Sequence, residues 1–144
     1  MQQISTTLKF FLNLTMTQSA VAKRFDARLS LHSISLSDFM ILLHLSRAPE
    51  QKLRRVDLAE MVGLSASAVT RKLAPLEKIG MVKREDNERD ARVSFVKLAK
   101  GGKRTLKDAL NSAEMAASEL YSSEKEDDLE EITNILIKLG GSIR

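Results

Sequence analysis

The sequence predicts a mainly α-helical fold of the α+β class, in which a short central region lies between long helices at the two chain ends. Apolar residues recur at helical spacing near both ends, and the period changes to strand-like alternation after Gly80. The 144 residues, of which 43% are hydrophobic and 29% charged, suit one structural domain rather than a disordered chain. We expect three parts within it, covering residues 1–33, 34–100 and 101–144.

The first part is predicted to form one long amphipathic helix over about residues 4–30. Its inward stripe consists of Ile4, Leu8, Phe11, Thr15, Ala22, Phe25 and Leu29. A helix this long has more apolar surface than a small neighbour can cover. We therefore expect it to pack against the C-terminal helices and against a second copy of the chain.

The central part begins with a helix that Ser35 or Ser37 is expected to cap and that ends near Arg47. Its predicted inward residues are Phe39, Leu42, Leu43 and Leu45. A short helix over about residues 56–62 follows, and Gly63 stands where a left-handed backbone is usually required.

Ser65 is expected to cap a further helix, which ends before Gly80 and buries Ala66, Val69, Leu73 and Leu76. Beyond it, residues 81–84 and 93–98 alternate as strands do and flank a polar stretch over 86–92, which predicts a β-hairpin with a charged tip. Two helices joined by a short glycine turn and followed by a hairpin define a winged helix-turn-helix. Without the hairpin, an αα-hairpin that binds no DNA would be the alternative.

The last part is predicted to contain two more dimerisation helices. The first covers about residues 103–121, with a seam of Leu106, Leu110, Ala113, Ala117 and Leu120. Ser123 followed by Glu126 resembles a capping box that opens the second. Its stripe consists of Leu129, Ile132, Leu136 and Leu139, and Gly140 is the expected stop.

Charge is distributed unevenly along the chain. Residues 52–100 hold twelve basic and seven acidic side chains, whereas residues 101–144 hold six basic and nine acidic ones. A basic middle indicates a polyanionic partner, and a solvated surface with a chance asymmetry is the alternative.

Several function classes are excluded or disfavoured by composition. The chain has no Cys, which excludes disulfides and Cys–zinc sites. The longest apolar run, residues 39–45, is far shorter than the ~20 residues that span a bilayer, and no secretory signal is visible, so we expect a cytoplasmic protein without membrane contact. No phosphate-binding glycine motif or activated nucleophile appears, so we expect neither an enzyme nor a cofactor.

Three outward-facing residues of the Ser65-capped helix are predicted to contact DNA in the major groove, namely Ser67, Thr70 and Arg71. Arg71 could contact a guanine or a phosphate. Ser65 itself is favoured as a structural cap over a DNA contact, although the helix start also suits a phosphate. Arg54 and Arg55, just before the short helix, are expected to contact phosphates.

The hairpin tip offers Arg89 and Arg92, and an arginine in a narrow A·T-rich minor groove is favoured by the negative potential there. Asp90 is expected to hold one of these arginines in a reaching conformation. A solvated charged turn is the alternative. His32 and His44 are too few for a closed metal site, so zinc sensing is disfavoured, and His44 could instead line a pocket.

Several stretches match a pattern known from one group of proteins: 57–59 (DLA), 63–73 (GLSASAVTRKL), 76–82 (LEKIGMV), 87–92 (NERDAR) and 96–98 (VKL). They resemble the multiple antibiotic resistance regulator (MarR) family of bacterial transcription factors, and the resemblance spans most of the chain. It assigns Asp90 and Arg92 to the family's Asp-x-Arg wing motif, with Arg89 as the alternative reader.

The resemblance implies a triangular homodimer that binds a pseudo-palindromic operator in double-stranded DNA. It further implies a repressor that a small aromatic or phenolic ligand releases by binding between the DNA-binding and dimerisation regions; it names no ligand-binding residue in this chain. The alternative function is a winged-helix module whose basic surface binds an acidic protein without sequence-specific DNA binding.

Two positions depart from the family pattern. Pro75 lies inside the predicted recognition helix, where it removes a backbone hydrogen bond and is expected to alter the angle of the C-terminal half. Ala99 stands where a capping threonine is usual, and Gly101 and Gly102 follow it, so we expect a loose junction between the wing and the next helix.

Overall fold

The computed structural model describes residues 2–121 and 126–143 of the chain. The elements within these residues are, in chain order, α1 (Thr6–Leu29), α2 (Leu36–Arg47), β1 (Lys52–Arg54), α3 (Arg55–Val62), α4 (Ala66–Lys78), β2 (Val82–Asp86), β3 (Ser94–Leu98), α5 (Lys100–Leu120) and α6 (Glu126–Lys138). This order confirms the mainly helical winged helix-turn-helix fold. The predicted capping box at Ser123 falls outside the described residues.

Helix α2 lies at the centre of the hydrophobic core. Ser35, not Ser37, is its N-cap, and a full capping box forms because the Asp38 carboxylate accepts from the Ser35 backbone N–H. The predicted inward residues are buried except for Leu43, which is only half-buried. Ile41 and His44 are buried as well, since a central helix is covered on more than one face.

The turn between α3 and α4 forms as the glycine predicts. Gly63 has φ = +68°, and the N–H of Leu64 donates to the Ala59 carbonyl. Ser65 caps α4, which buries Val69, Leu73 and Leu76. The prediction that Ala66 is buried is wrong: it lies in the exposed first turn of the helix. Helix α4 continues past an exposed Pro75 to Lys78.

The sheet has a third strand that the sequence pattern did not predict. Its order is β1-β3-β2 with both pairings antiparallel, and Leu53 of β1 pairs with Val96 of β3. The wing hairpin pairs Val82 with Leu98 at its base and Asp86 with Ser94 at its tip. Three residues are too few to show alternation, so β1 depends on its partner strand rather than on a local signal.

Helices α1 and α5 pack against each other within one chain. The ring Nε2 of His32 lies 2.8 Å from Ser112 Oγ, and Arg28 pairs with Glu119. The face that α5 buries is made of small residues, Gly102, Ala109, Ala113 and Ala116.

The predicted α5 seam is buried only in part within the single chain. Leu106 is half-buried and Ala113 is buried, but Leu110, Ala117 and Leu120 are exposed in the single chain. Small side chains allow two helices to approach closely. Within the chain, α5 buries its alanine face and leaves much of its leucine seam exposed.

Large apolar side chains remain exposed on the terminal helices. In the first half of α1 and just before it they are Ile4, Leu8, Phe10, Phe11, Leu12 and Met16. In α6 and the residues after it they are Leu129, Ile132, Ile135, Ile137, Leu139 and Ile143. We call these two sets the apolar terminal surface. Large apolar side chains exposed in such number are typical of surfaces that a partner covers.

No single helix within residues 2–121 and 126–143 is both long and apolar enough to cross a membrane. The segment Thr6–His32 and α2, which meet at a bend of 73°, pass the same test only as a pair.

The junction between the wing and α5 is tight, contrary to the expectation from Ala99 and the two glycines. Ala99 caps α5 without a side-chain hydrogen bond, but its N–H donates to the Met81 carbonyl at 3.0 Å. A Cβ on Gly102 would stand 2.1 Å from the Met81 carbonyl oxygen and 2.7 Å from Leu98 Cδ1. The glycines thus permit close approach.

Gly102→Ala is expected to lower the free energy of unfolding by about 1–3 kcal/mol, because the added methyl group overlaps a backbone carbonyl. An alanine inside a helix otherwise stabilises by up to ~1 kcal/mol relative to glycine, so a net loss identifies the contact. Urea denaturation measures it, with Asn111→Ala, at an exposed position of the same helix, as the control. A Gly102→Ala protein as stable as the wild type would contradict the close approach.

Candidate nucleic-acid interface

The outer face of α4 presents the side chains that the sequence predicts for the major groove. Ser67, Thr70 and Arg71 are all exposed, while the opposite face anchors the helix through Val69 and Leu73. The anchoring fixes the helix without using the polar residues, so these remain available to a ligand.

Ser65 has a structural role at the start of α4. Its Oγ accepts from the Ala68 N–H at 3.1 Å and lies 3.3 Å from Ser67 Oγ. The cap satisfies one of the orphan N–H groups of the first turn. Ser65 therefore holds the helix start, and Ser67 is tied to it on the exposed side.

Arg71 has surroundings unlike those of Arg54, Arg55 and Arg92. Within the described residues its guanidinium makes no hydrogen bond or ion pair, whereas Arg54, Arg55 and Arg92 each have a partner. It borders a cavity of about 420 Å³ between α4 and the start of α2, together with Lys72. A guanidinium with five unused donors suits bidentate contact with a guanine or a phosphate.

The adjacent residues Arg54 and Arg55 have different surroundings. Arg54 Nε donates to the Asp57 carboxylate at 3.0 Å, and this hydrogen bond and charge raise the pKa of Arg54. Arg55 Nη1 instead donates to Thr70 Oγ1 at 3.3 Å, across the two helices of the motif. Both are predicted to contact phosphates, and within the chain their side chains have different partners.

At the wing tip, Asp90 Oδ1 accepts from both the backbone N–H and the Nε of Arg92, at 3.0 and 3.3 Å. The Arg92 side chain remains 92% exposed, so its guanidinium still points into solvent. Arg89 is exposed too, and its backbone N–H donates to Asn87 Oδ1. Asp90 is thus placed to restrict Arg92 rather than Arg89.

The base of the wing is tied together by a charge cluster that the sequence analysis did not find. Lys52 Nζ of β1 lies 3.1 Å from the Glu85 carboxylate of β2 and 4.9 Å from the centre of the Phe95 ring. The hydrogen bond to Glu85 raises the pKa of Lys52, and the same bond lowers that of Glu85. These residues lie on three different strands, and no local sequence pattern indicates that they meet.

A second cavity of about 470 Å³ lies between α2 and α5 and was also missed. Its apolar lining includes Leu43, Leu98, Leu106 and Leu110, and its basic lining includes Arg47, Lys103 and Lys107. Helical spacing placed these residues on their own helices, but only the packing of α2 against α5 brings them together.

The two histidines have different surroundings. His32 bonds to Ser112, while His44 is buried and borders a small cavity of about 50 Å³ with Glu60 and Ser142. No group of three or more His, Asp or Glu residues in the described part of the chain could hold a metal ion.

A serine-capped helix presenting polar side chains, preceded by a helix and glycine turn and followed by a hairpin, defines a winged helix-turn-helix, the class of fold that many transcription regulators use to bind DNA. Residues 34–94 match the family model of MarR, which confirms the resemblance to the MarR family.

Solved structures match the chain over nearly its whole length. The transcriptional regulator BldR from Sulfolobus solfataricus is 28% identical, with a TM-score of 0.79 over 96% of this chain and 99% of BldR. A mutant MarR from E. coli in complex with operator DNA is 22% identical, with a TM-score of 0.82 over 92% and 94%. CouR from Rhodococcus jostii RHA1, bound to p-coumaroyl-CoA, is 17% identical, with a TM-score of 0.81 over 96% and 95%.

Arg92→Ala is expected to weaken DNA binding by about 1 kcal/mol, roughly fivefold, on duplexes with A·T-rich flanks and by less on G·C-rich flanks. The reason is that its proposed partner is the narrow groove and its potential. Binding isotherms on both duplexes measure the difference, and Arg89→Ala on the same hairpin is the matched variant. A flank-dependent loss for Arg89→Ala alone would make Arg89 the reader.

Proposed function

We propose that the protein is a homodimeric, cytoplasmic repressor that binds a pseudo-palindromic operator in double-stranded DNA and is released by a small aromatic or phenolic acid. The observation that carries the proposal is the exposed face of α4, where Arg71, which has no partner among the described residues, lies beside Ser67 and Thr70. We further propose that residues 34–100 bind the DNA, while residues 1–33 and 101–144 form the dimer.

The apolar terminal surface supports the dimer. Phe11 is 43% and Met16 is 70% exposed, which is costly in water but favourable in a helix–helix interface. A two-fold axis is the default for two identical chains, and it would set the two α4 helices about 34–36 Å apart, on successive major grooves.

The cavity between α2 and α5 supports the effector. Its leucine lining suits an aromatic ring, and Arg47, Lys103 and Lys107 suit a carboxylate. It lies where the DNA-binding region meets a dimerisation helix, so a ligand there could alter the angle between them. The binding of p-coumaroyl-CoA by CouR, whose fold is similar, agrees with a small-molecule effector.

Selection of bound fragments from a random duplex pool tests the DNA-binding function. We expect enrichment of an inverted repeat, with affinity for it at least ~10³-fold above that for scrambled DNA and falling steeply with salt. Binding without enrichment of any sequence, or no binding to DNA, would instead favour a module that binds an acidic protein.

Benzoate is expected to release the selected operator at millimolar concentration, and Lys103→Met should raise the required concentration about tenfold, because the variant removes a charge from the cavity. Neutral benzamide and the variant Lys100→Met, on the same helix but outside the cavity lining, are the controls. Fluorescence anisotropy of labelled operator measures release. Equal action of benzoate and benzamide would contradict a site for acids.

A further inference from the structure

A side-chain hydrogen bond joins the two helices of the DNA-binding motif at its exposed edge. Arg55 Nη1, in the first turn of α3, donates to Thr70 Oγ1 of α4 at a distance of 3.3 Å. Thr70 is exposed and Arg55 is half-buried, and Thr70 is one of the residues predicted to meet base edges. The bond therefore acts on a group that DNA would contact.

The chemistry of the two groups determines which way the hydroxyl hydrogen points. A guanidinium only donates, whereas a threonine hydroxyl has one hydrogen to donate and two lone pairs that accept. Since Arg55 uses a lone pair of Thr70, the hydroxyl hydrogen is left for another partner. A helical hydroxyl commonly gives it to the carbonyl four residues earlier, as Thr15 does to Phe11 at 3.0 Å.

Thr70 makes no such bond: within the described residues, Arg55 is the only hydrogen-bond partner of its hydroxyl. The hydrogen is thus free to point away from the helix. The positive charge of the guanidinium also disfavours the approach of a second donor to the same oxygen.

We propose that Arg55 fixes Thr70 as a hydrogen-bond donor, so that this position of the operator half-site accepts a base with an acceptor edge and rejects cytosine. The acceptors available in the major groove are N7 and O6 of guanine, N7 of adenine and O4 of thymine, while cytosine presents its N4 amino donor. Arg55 is then a positioning residue for specificity rather than a phosphate contact. The inference rests on the proposed DNA-binding function.

Arg54 provides a matched comparison within the chain. It is the same residue type one position earlier, but its guanidinium is held by Asp57 at 3.0 Å and makes no hydrogen bond to Thr70 among the described residues. Removing Arg54 changes the local charge by the same amount and leaves the Thr70 hydroxyl pair intact.

The experiment measures the affinity of the full-length protein for the selected operator and for duplexes carrying each of the four base pairs at each half-site position. The proteins are the wild type, Arg55→Met, Arg54→Met, Thr70→Val, Thr70→Ser and the Arg55→Met/Thr70→Val double variant. We expect the wild type to reject cytosine about tenfold at one position per half-site, and Thr70→Ser to retain this preference.

Arg55→Met is expected to reduce that discrimination to about twofold. When Thr70→Val is already present, adding Arg55→Met should cause no further change in discrimination. Arg54→Met should leave the discrimination at about tenfold. An even loss for Arg55→Met on all duplexes, with a shallower salt dependence and intact discrimination, would overturn the inference and make Arg55 a phosphate contact. If selection from the random duplex pool enriches no sequence, the proposed function and this inference are both overturned. That result is distinguishable from an even loss of affinity for Arg55→Met, which overturns this inference alone.

Discussion

Phe11→Glu is expected to convert the protein from a dimer to a monomer at micromolar concentration and to weaken operator binding by about 10²–10⁴-fold. The side chain is exposed in the single chain and belongs to the apolar terminal surface, so a buried glutamate in each protomer would face the interface without a partner. Two linked recognition helices bind with an effective concentration that a monomer lacks, which accounts for the size of the loss.

Light scattering measures the mass, and anisotropy with labelled operator measures binding. Asn13→Glu is the matched control, because Asn13 is an exposed polar residue in the same half of α1 and the variant adds the same charge. Removal of residues 1–20 is expected to give an unstable or aggregating protein for the same reason. A wild-type chain that is monomeric at micromolar concentration would contradict the dimer.

The second large effect is expected for Arg71→Met, which should cost about 1–3 kcal/mol in operator binding, or about 5–150-fold. Its guanidinium has no partner among the described residues, so a contact with DNA would not have to displace an existing hydrogen bond. The preference at one or two positions of each half-site should relax.

Binding isotherms at several salt concentrations, on operator and scrambled duplexes, distinguish this reading of sequence from a contact with phosphate. Arg54→Met is the comparison, because a phosphate contact should lower affinity evenly and reduce the salt slope by up to ~1. If Arg71→Met weakens binding to both duplexes equally, Arg71 does not read sequence.

Features of the fold that depend on neighbours in the chain could be predicted from the sequence. The caps Ser35 and Ser65, the left-handed Gly63 and the final glycine turn at Gly140 each follow from residue types within a few positions. Features that depend on distant partners could not. Strand β1 exists because it pairs with β3, and the face that α5 buries within the chain includes Ala109 and Ala116, which no local pattern indicates.

The candidate site shows the same division. Spacing along α4 was enough to place Ser67, Thr70 and Arg71 on an exposed face. The different partners of Arg54 and Arg55 could not be predicted, since one bonds within its own turn and the other reaches across to α4. The cavity between α2 and α5 likewise requires two helices whose packing no local pattern specifies.

The close contact at Met81 connects the start of α5 directly to α4 and to the wing. The N–H of Met81 donates to Leu76 at the end of α4, its carbonyl accepts from Ala99, and β2 begins at the next residue, so the recognition helix, the wing and α5 share one backbone joint. Helix α5 is about 30 Å long, so a tilt of about 5° at this joint moves its far end by ~3 Å. The cavity lined by Leu98 and Lys103 lies close to this joint, so a small displacement of α5 there becomes a larger displacement at its far end.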